Sequence, residues 1–479
     1  MSCTLEPHYQ RPTPAIAADW PTRSSPEVAK AAAPAAAAPA AAIGWRDFFT
    51  DARLQKLIEV SLQHNPDARI ASLNIAAARA QYRIQRADLF PTINASGLET
   101  AEKFPASVAP IATSGAAAGG ATPTASGSGV LRYFDVGIGF TSYEIDVFGR
   151  VRSLNKQRLQ QYLGYVETRR STQITVIAEV AAAYLTLLAD QQLLKITEDT
   201  LASQQESLKL IRMSFDGGVD TALDLHQAET TVATAQANLA QYTRQLAQDQ
   251  NALVVLLGTP LPSELPSGSN LDEEALLADL PEGLPSDVLT PRPDILAAEH
   301  NLMAANANIG AARAAFFPRI TLTGSYGTAS TQLSGLFDHG STAWTFSPQI
   351  SLPIFAGGAN LASLDLAKVQ KNVLIVQYEQ SIQTAFREVA DALSGRATLD
   401  SQMAADQSLL AATNESFRLA NMRFNGGVDN YLAVLDSQRL LYGAQQSLIE
   451  VKLARLQNLV TLYKALGGGW LEHSRSEAN

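Results

Sequence analysis

The sequence predicts an α+β chain in which four β-strands continue into long antiparallel helical hairpins, the whole plan occurring twice. Three observations carry this. Phe215, Asp216, Gly217, Gly218, Val219 and Asp220 return 209 residues later as Phe424, Asn425, Gly426, Gly427, Val428 and Asp429. Helical runs of unusual length flank each copy: Gly149 to about Phe215 contains no Pro and only Gly164, and Ala359 to Phe424 only Gly395. At about 1.5 Å per residue each such rod approaches ~100 Å, and the helix of about 37 residues after each turn reaches ~55 Å. The third observation is the period-two alternation around residues 93 and 133 and again around 320 and 346.

The repeat reaches beyond the turn and fixes the architecture before any local reading. Glu179, Val180 and Ala181 recur as Glu388, Val389 and Ala390, while Ile145, Val147 and Phe148 recur as Leu352, Ile354 and Phe355 at an offset of 207. Pro66, Asp67, Phe90, Pro91 and Gly97 match Pro293, Asp294, Phe317, Pro318 and Gly324 at 227, because the first half carries a longer insertion. The resulting division is 1–62 for an anchored N-terminal and equatorial part, 63–258 for the first repeat, 259–290 for an equatorial linker, 291–467 for the second repeat and 468–479 for the tail.

In order, the Pro- and Ala-rich 1–44 is a surface segment. Ala31 to Ala42 is interrupted by Pro34 and Pro39 and reads as a spacer. Leu54, Leu57, Ile58 and Leu62 give Trp45 to Leu62 the spacing of an amphipathic helix, and another helix follows from Pro66 to Leu89, with Pro in its first turn. Ile93, Ala95 and Gly97 open a strand. Lys103 to Gly129 is a Pro, Ala, Gly, Ser and Thr tract suited to a long exposed loop. The returning strand sets Tyr133, Asp135, Gly137, Gly139, Thr141 and Tyr143 on one face and Phe134, Val136, Ile138 and Phe140 on the other, with Ile145 on or near the latter. The second half repeats this with Ile320, Leu322 and Gly324, a loop from Gly327 to Ser341, and Trp344, Phe346, Ile350 and Leu352.

Strands of this kind fit a membrane barrel, although four could also cap the rods as a small soluble sandwich. Four strands cannot close around water, and lipid tolerates no open sheet edge, so a membrane reading requires copies of the same chain. The returning helices carry seams: Ile449, Leu453, Leu456, Val460 and Tyr463, and Leu239, Tyr242, Leu246, Leu253 and Leu256 with Asp249 interrupting. A buried dimer seam satisfies them alone; joined to such strands they read as staves of a helical barrel. A short helix is expected from Leu271 to Leu280.

Charged residues are 17% of the chain and the net charge is −10, which disfavours a nucleic-acid partner. The six histidines, His8, His64, His226, His300, His339 and His473, form no metal motif, Gly127, Ser128 and Gly129 lack nucleophile-elbow spacing, and no phosphate-binding loop is present. Neither an enzyme nor a cofactor or metal site is expected. No run of about 18 apolar residues marks a transmembrane helix. The single cysteine, Cys3, excludes an intrachain disulfide; it reads either as a free thiol or as the lipid-modified first residue of a mature lipoprotein, with Met1 and Ser2 extra to it.

The duplicated turn and helix, the opening Cys3, Pro7, Tyr9, Arg11 and Pro12, and the closing Leu462, Tyr463, Lys464, Ala465, Leu466, Gly467, Gly468, Gly469 and Trp470 resemble the TolC-type outer-membrane factor family, in its lipoprotein branch. The resemblance covers essentially the whole chain. It implies a homotrimer with a twelve-stranded transmembrane β-barrel, continued by a long periplasmic α-helical barrel with an equatorial belt. It also implies lipid anchoring in the cell outer membrane through Cys3, a periplasmic adaptor (membrane fusion protein), and an inner-membrane pump of the resistance-nodulation-division type. The function implied is the passive exit duct of a tripartite efflux system for drugs or other small toxic compounds. A type I protein-secretion duct is the nearer competitor, and a coiled-coil scaffold the alternative from another class. Residue by residue, the family's periplasmic gate falls on Leu432 and Asp436, one helical turn apart. The first repeat has Leu223 and Gln227 there. The adaptor-contacting tips fall on Gly217, Gly218, Val219 and Asp220 and on Gly426, Gly427, Val428 and Asp429, although two glycines also serve such a turn for backbone reasons alone.

Overall fold

The computed structural model describes residues 4–13, 16–17, 20, 40–103, 130–268, 270–271, 276–277, 280 and 289–474. Its elements run α1 (Trp45–Phe48), α2 (Ala52–His64), α3 (Pro66–Ala87), β1 (Ile93–Lys103), β2 (Val130–Ile145), α4 (Arg150–Asp216), α5 (Ala222–Leu257), α6 (Pro293–Ala314), β3 (Arg319–Ser330), β4 (Thr342–Ser351), α7 (Ala359–Asn425) and α8 (Tyr431–Ala465). The series helix, two strands, long helix, shorter helix thus occurs twice. α4 and α7 have 67 residues each. The chain divides into two compact units, one built from 77–162 and 301–374 with the N-terminal strap up to Gln10, the other from the rest.

The first unit is an antiparallel meander in the order β1-β2-β3-β4. β1 and β4 are therefore its edges. β2 is longer than its partners because its lower part, beyond a bulge between Phe140 and Tyr143, pairs with β3 alone. Ser142 sits at the bulge with φ 55°. One inserted residue exchanges the two faces, which is why Ile145 falls off the even-numbered parity of Phe134 to Phe140. Glycines allow close approach here: a Cβ on Gly327 would lie 2.2 Å from the Val136 carbonyl oxygen. The strap is pinned on α6, where fully buried Asn306 donates to the Pro7 carbonyl at 2.8 Å and Arg313 donates to the Leu5 carbonyl at 3.1 Å. Lys156 of α4 closes on Glu6 at 2.9 Å.

In the second unit the large buried side chains of 45–58 organise the core. Trp45, Phe48, Phe49, Leu54, Leu57 and Ile58 pack against Ile177, Val180 and Tyr184 of α4, Ile382 and Val389 of α7, and Val460 and Tyr463 of α8. Phe48 stacks on Tyr463 with ring centroids 3.9 Å apart. The helix expected over Trp45 to Leu62 is two helices, since Asp51 leaves helical geometry to cap α2 by accepting from the backbone of Arg53 and Leu54. Its other oxygen accepts from the Tyr184 hydroxyl at 2.9 Å. Backbone hydrogen bonds join Trp45 to Leu471, Arg46 to Glu472 and Leu277 to Phe48. The helix expected from Leu271 to Leu280 falls largely outside the described residues, and at Leu276 the backbone forms an antiparallel bridge to Phe49 instead. The loop expected over 103–129 lies outside the described residues beyond Lys103, as does most of the Ala31 to Ala42 spacer.

The seams of the returning helices also find partners within the chain. Ile449, Leu456, Val460 and Tyr463 are buried in this core, which supplies one wall for α8 that the spacing of residues alone could not assign. One 18-residue stretch of α4 is apolar enough by length and composition to cross a membrane, but 56% of it is buried in the protein, as a core helix requires.

Candidate functional site

The two Gly-Gly turns are built alike. α4 ends with Gly218 N–H donating to the Phe215 carbonyl and Val219 N–H to that of Ser214, and α7 ends with the same pair from Gly427 to Phe424 and Val428 to Arg423. Gly218 and Gly427 take φ 75° and 70°, the left-handed conformation that terminates a helix and that a side chain disfavours. Val219 and Val428 stand out at 80% and 67% exposure, an apolar tip on each hairpin.

Behind the tips a small core holds the hairpins together. Ile211 of α4, Ala228 of α5, and Tyr431, Val434 and Leu435 of α8 are all buried in it. The tips differ in how their returning helices are secured. Thr221 caps α5 in a reciprocal capping box with Asp224. Asn430 makes no such bond for α8. Instead Arg423 reaches across the second turn and grips Asp429 through two hydrogen bonds of 2.5 and 2.9 Å. That grip lowers the Asp429 carboxyl below its ordinary range and raises the guanidinium. The first turn has Ser214 and Asp220 at these places. Side-chain charge of this kind is invisible in a one-dimensional pattern, because Arg423 and Asp429 face each other only once the glycines reverse the chain.

Leu432 and Asp436 lie on the exposed side of α8, one turn apart, while Val434 and Leu435 between them are buried. Leu432 is 40% exposed. The Asp436 carboxylate is 61% exposed and pairs with Arg439 at 3.9 Å. Both side chains are therefore accessible on this face. Leu223, the first-repeat counterpart of Leu432, is 65% exposed at the start of α5. Cys3 lies outside the described residues. Among the described residues no three His, Cys, Asp or Glu side chains converge as a metal site.

One titratable group in the long helices was singled out by its interruption of a seam. Asp249 of α5 faces Asp190 of α4, and burial together with the neighbouring carboxylate raises its carboxyl to about 6. One of its oxygens is buried without a donor. The folded chain holds this proton more tightly than the unfolded chain does. Its stabilisation is therefore complete below the ordinary carboxyl range and is lost as pH rises through about 6. Asp249→Asn keeps the shape and removes the repulsion, so its melting temperature should exceed that of the wild type by a few degrees near pH 7.5 and converge with it at about pH 4. An unaltered gap across that range would refute the pairing.

Residues 57–259 and 284–468 match the family model described as outer membrane efflux protein. The chain is 48% identical over 472 residues to the probable efflux pump outer membrane protein TtgC of Pseudomonas putida, covering 98% of this chain and 94% of that one. It is 42% identical over 471 residues, with the same coverages, to the outer membrane protein OprJ of Pseudomonas aeruginosa. Among solved structures, the open state of the MtrE outer membrane channel of Neisseria gonorrhoeae superposes with a TM-score of 0.87 at 38% identity, over 99% of this chain and 100% of that one.

Proposed function

The chain belongs to the outer membrane efflux protein family, and we propose that three copies close into one tube that serves as the exit duct of a tripartite efflux system. It is an outer-membrane efflux channel. The observation that carries the ring reading is that both edge strands of the sheet are open and each is continuous in sequence with a helix that exposes an apolar seam. α3 leads into the edge strand β1 and exposes Ile70, Leu73 and Ile84, which with Ala77 and Ala80 form a seam of alternating three- and four-residue spacing. The edge strand β4 leads into α7, which exposes a seam of Leu366, Val369, Val373 and Val376. A helix with an unpartnered apolar seam and a strand with unpaired amides both need a neighbour. A head-to-tail contact between unlike sides closes a ring when the rotation permits. Four strands from each of three copies would give a twelve-stranded barrel.

The finer assignments rest on the same reading. The exposed valine tips would meet a periplasmic adaptor, an inner-membrane pump of the resistance-nodulation-division type would supply the work, and Leu432 and Asp436 would narrow the duct at its periplasmic end. A lipid on Cys3 would hold the assembly in the outer membrane. Drugs and small apolar toxicants are the cargo favoured by relatives in Pseudomonas putida described as antibiotic, toluene and solvent efflux pump outer membrane proteins. Those descriptions favour efflux over protein secretion. Native mass spectrometry of protein extracted in detergent after expression from its full-length precursor should give three equal chains, each carrying a lipid that Cys3→Ser removes. A single-chain particle that forms no channel in planar bilayers would defeat the proposal.

A further inference from the structure

The foot of the strands carries an aromatic contact between the two repeats. Phe148, just ahead of α4, stacks on Phe317, just ahead of β3, with ring centroids 4.9 Å apart and planes at 25°. Both rings belong to motifs the chain contains twice. Val147 and Phe148 recur as Ile354 and Phe355, and Phe317 and Pro318 have their earlier copies in Phe90 and Pro91. The turn that follows is glycine-built in each case, with φ 78° at Gly149 and φ 57° and 86° at Gly357 and Gly358.

Among the described residues the second set of rings makes no stacking contact of this kind. Ile354 and Phe355 are 94% and 90% exposed, the two most exposed large apolar side chains among the described residues, and Phe90 is 64% exposed. Phe355 lies at the end of the edge strand β4 and Phe90 at the beginning of the edge strand β1. The position of Phe355 relative to β4 is that of Phe148 relative to β2, and Phe90 stands to β1 as Phe317 stands to β3.

We propose that Phe355 of one copy stacks on Phe90 of the next, repeating between chains the contact that Phe148 and Phe317 make within one. The inference rests on the ring reading above, and it adds the pair of side chains that latches each copy to its neighbour where strands give way to helices. Internal symmetry is the warrant: an operation that carries the first repeat onto the second carries the second onto the first repeat of the following copy. The two junctions differ in charge. Within the chain, Glu144 is gripped by Arg150 at 2.7 Å and Arg319 at 2.6 Å. The corresponding residues at the junction between copies are Ser351, Ala359 and Thr92, all uncharged. The latch between copies is therefore apolar, and its strength should not fall with added salt.

The test uses the full-length protein carrying Cys3→Ser, so that no other thiol is present. Phe90→Cys with Phe355→Cys, treated in membranes with a short bifunctional thiol reagent, should yield covalent dimers and trimers on denaturing gels, while either substitution alone yields single chains. Phe148→Cys with Phe317→Cys calibrates the reach of the reagent and should link within one chain. A protein that is threefold by native mass and links at 148 and 317 but not at 90 and 355 overturns the latch and leaves the ring intact. A single-copy particle overturns both. As a second measurement, Phe90→Ala, Phe355→Ala and the double variant are compared by the temperature at which the trimer separates. The double variant should lose little more than the worse single variant, and fully additive losses would again overturn the contact.

Discussion

Replacing Leu432 and Asp436 together with alanine is expected to raise single-channel conductance several-fold in planar bilayers. Both side chains leave α8 on its exposed face, with Asp436 held by nothing stronger than a 3.9 Å approach to Arg439. In a threefold tube the leucines would form an apolar collar that resists wetting, and the carboxylates a ring that repels itself and favours cations. Shortening Leu432 widens the collar, while removing the charge alone, as in Asp436→Asn, should weaken cation preference with little change of width. The first repeat supplies Leu223 and Gln227 instead, so each copy contributes one acid, and Gln227→Ala is the control expected to leave conductance unchanged. Conductance of wild-type size in the double variant would place the constriction elsewhere.

Gly327→Val is expected to abolish the folded channel. Gly327 pairs directly with Gly137 across β2 and β3. A Cβ there would sit 2.2 Å from the Val136 carbonyl oxygen and 2.5 Å from the Gly137 Cα, both backbone atoms that cannot turn aside. Making room means separating the two central strands, which forfeits several ladder hydrogen bonds and costs about 4 kcal/mol or more, the range reserved for severe lesions. Gly97→Ala is the internal comparison. Its Cβ would meet only Val136 Cγ2, at an ordinary 3.6 Å. Heat-modified electrophoretic mobility should report a normal assembled species for Gly97→Ala and none for Gly327→Val, and equal yields from the two would contradict the close approach.

Much of this fold was legible because its punctuation is local. The helix ends expected at Phe215 and Phe424 fall at Asp216 and Asn425, since a Gly-Gly pair that adopts positive φ ends a helix wherever it occurs. The break at Asp51 was not legible: spacing from Leu54 to Leu62 is helical throughout, and only the burial of Phe48 and Phe49 against Tyr463 shows why the chain turns there. The bulge at Ser142 left a trace, the parity slip at Ile145, which means something only once β3 is seen to follow β2 through it. Of the candidate positions, Leu432, Asp436 and both valine tips follow from the repeat and the resemblance, whereas the Arg423 to Asp429 grip and the Asp190 and Asp249 pair join residues that spacing alone does not bring together.

By itself, the sequence determined the repeat, the lengths of the rods, the places where they reverse and the number of strands, because each depends on backbone preference and on periodicity within a few turns of one element. Tertiary structure alone decided which faces are used inside the chain and which are left over. The seam of α8 is consumed by the core around Phe48 and Tyr463, while those of α3 and α7, equally apolar on paper, remain exposed. An apolar stripe states only that a partner is required. Which surface is within reach to bury it is settled by the path of the whole chain.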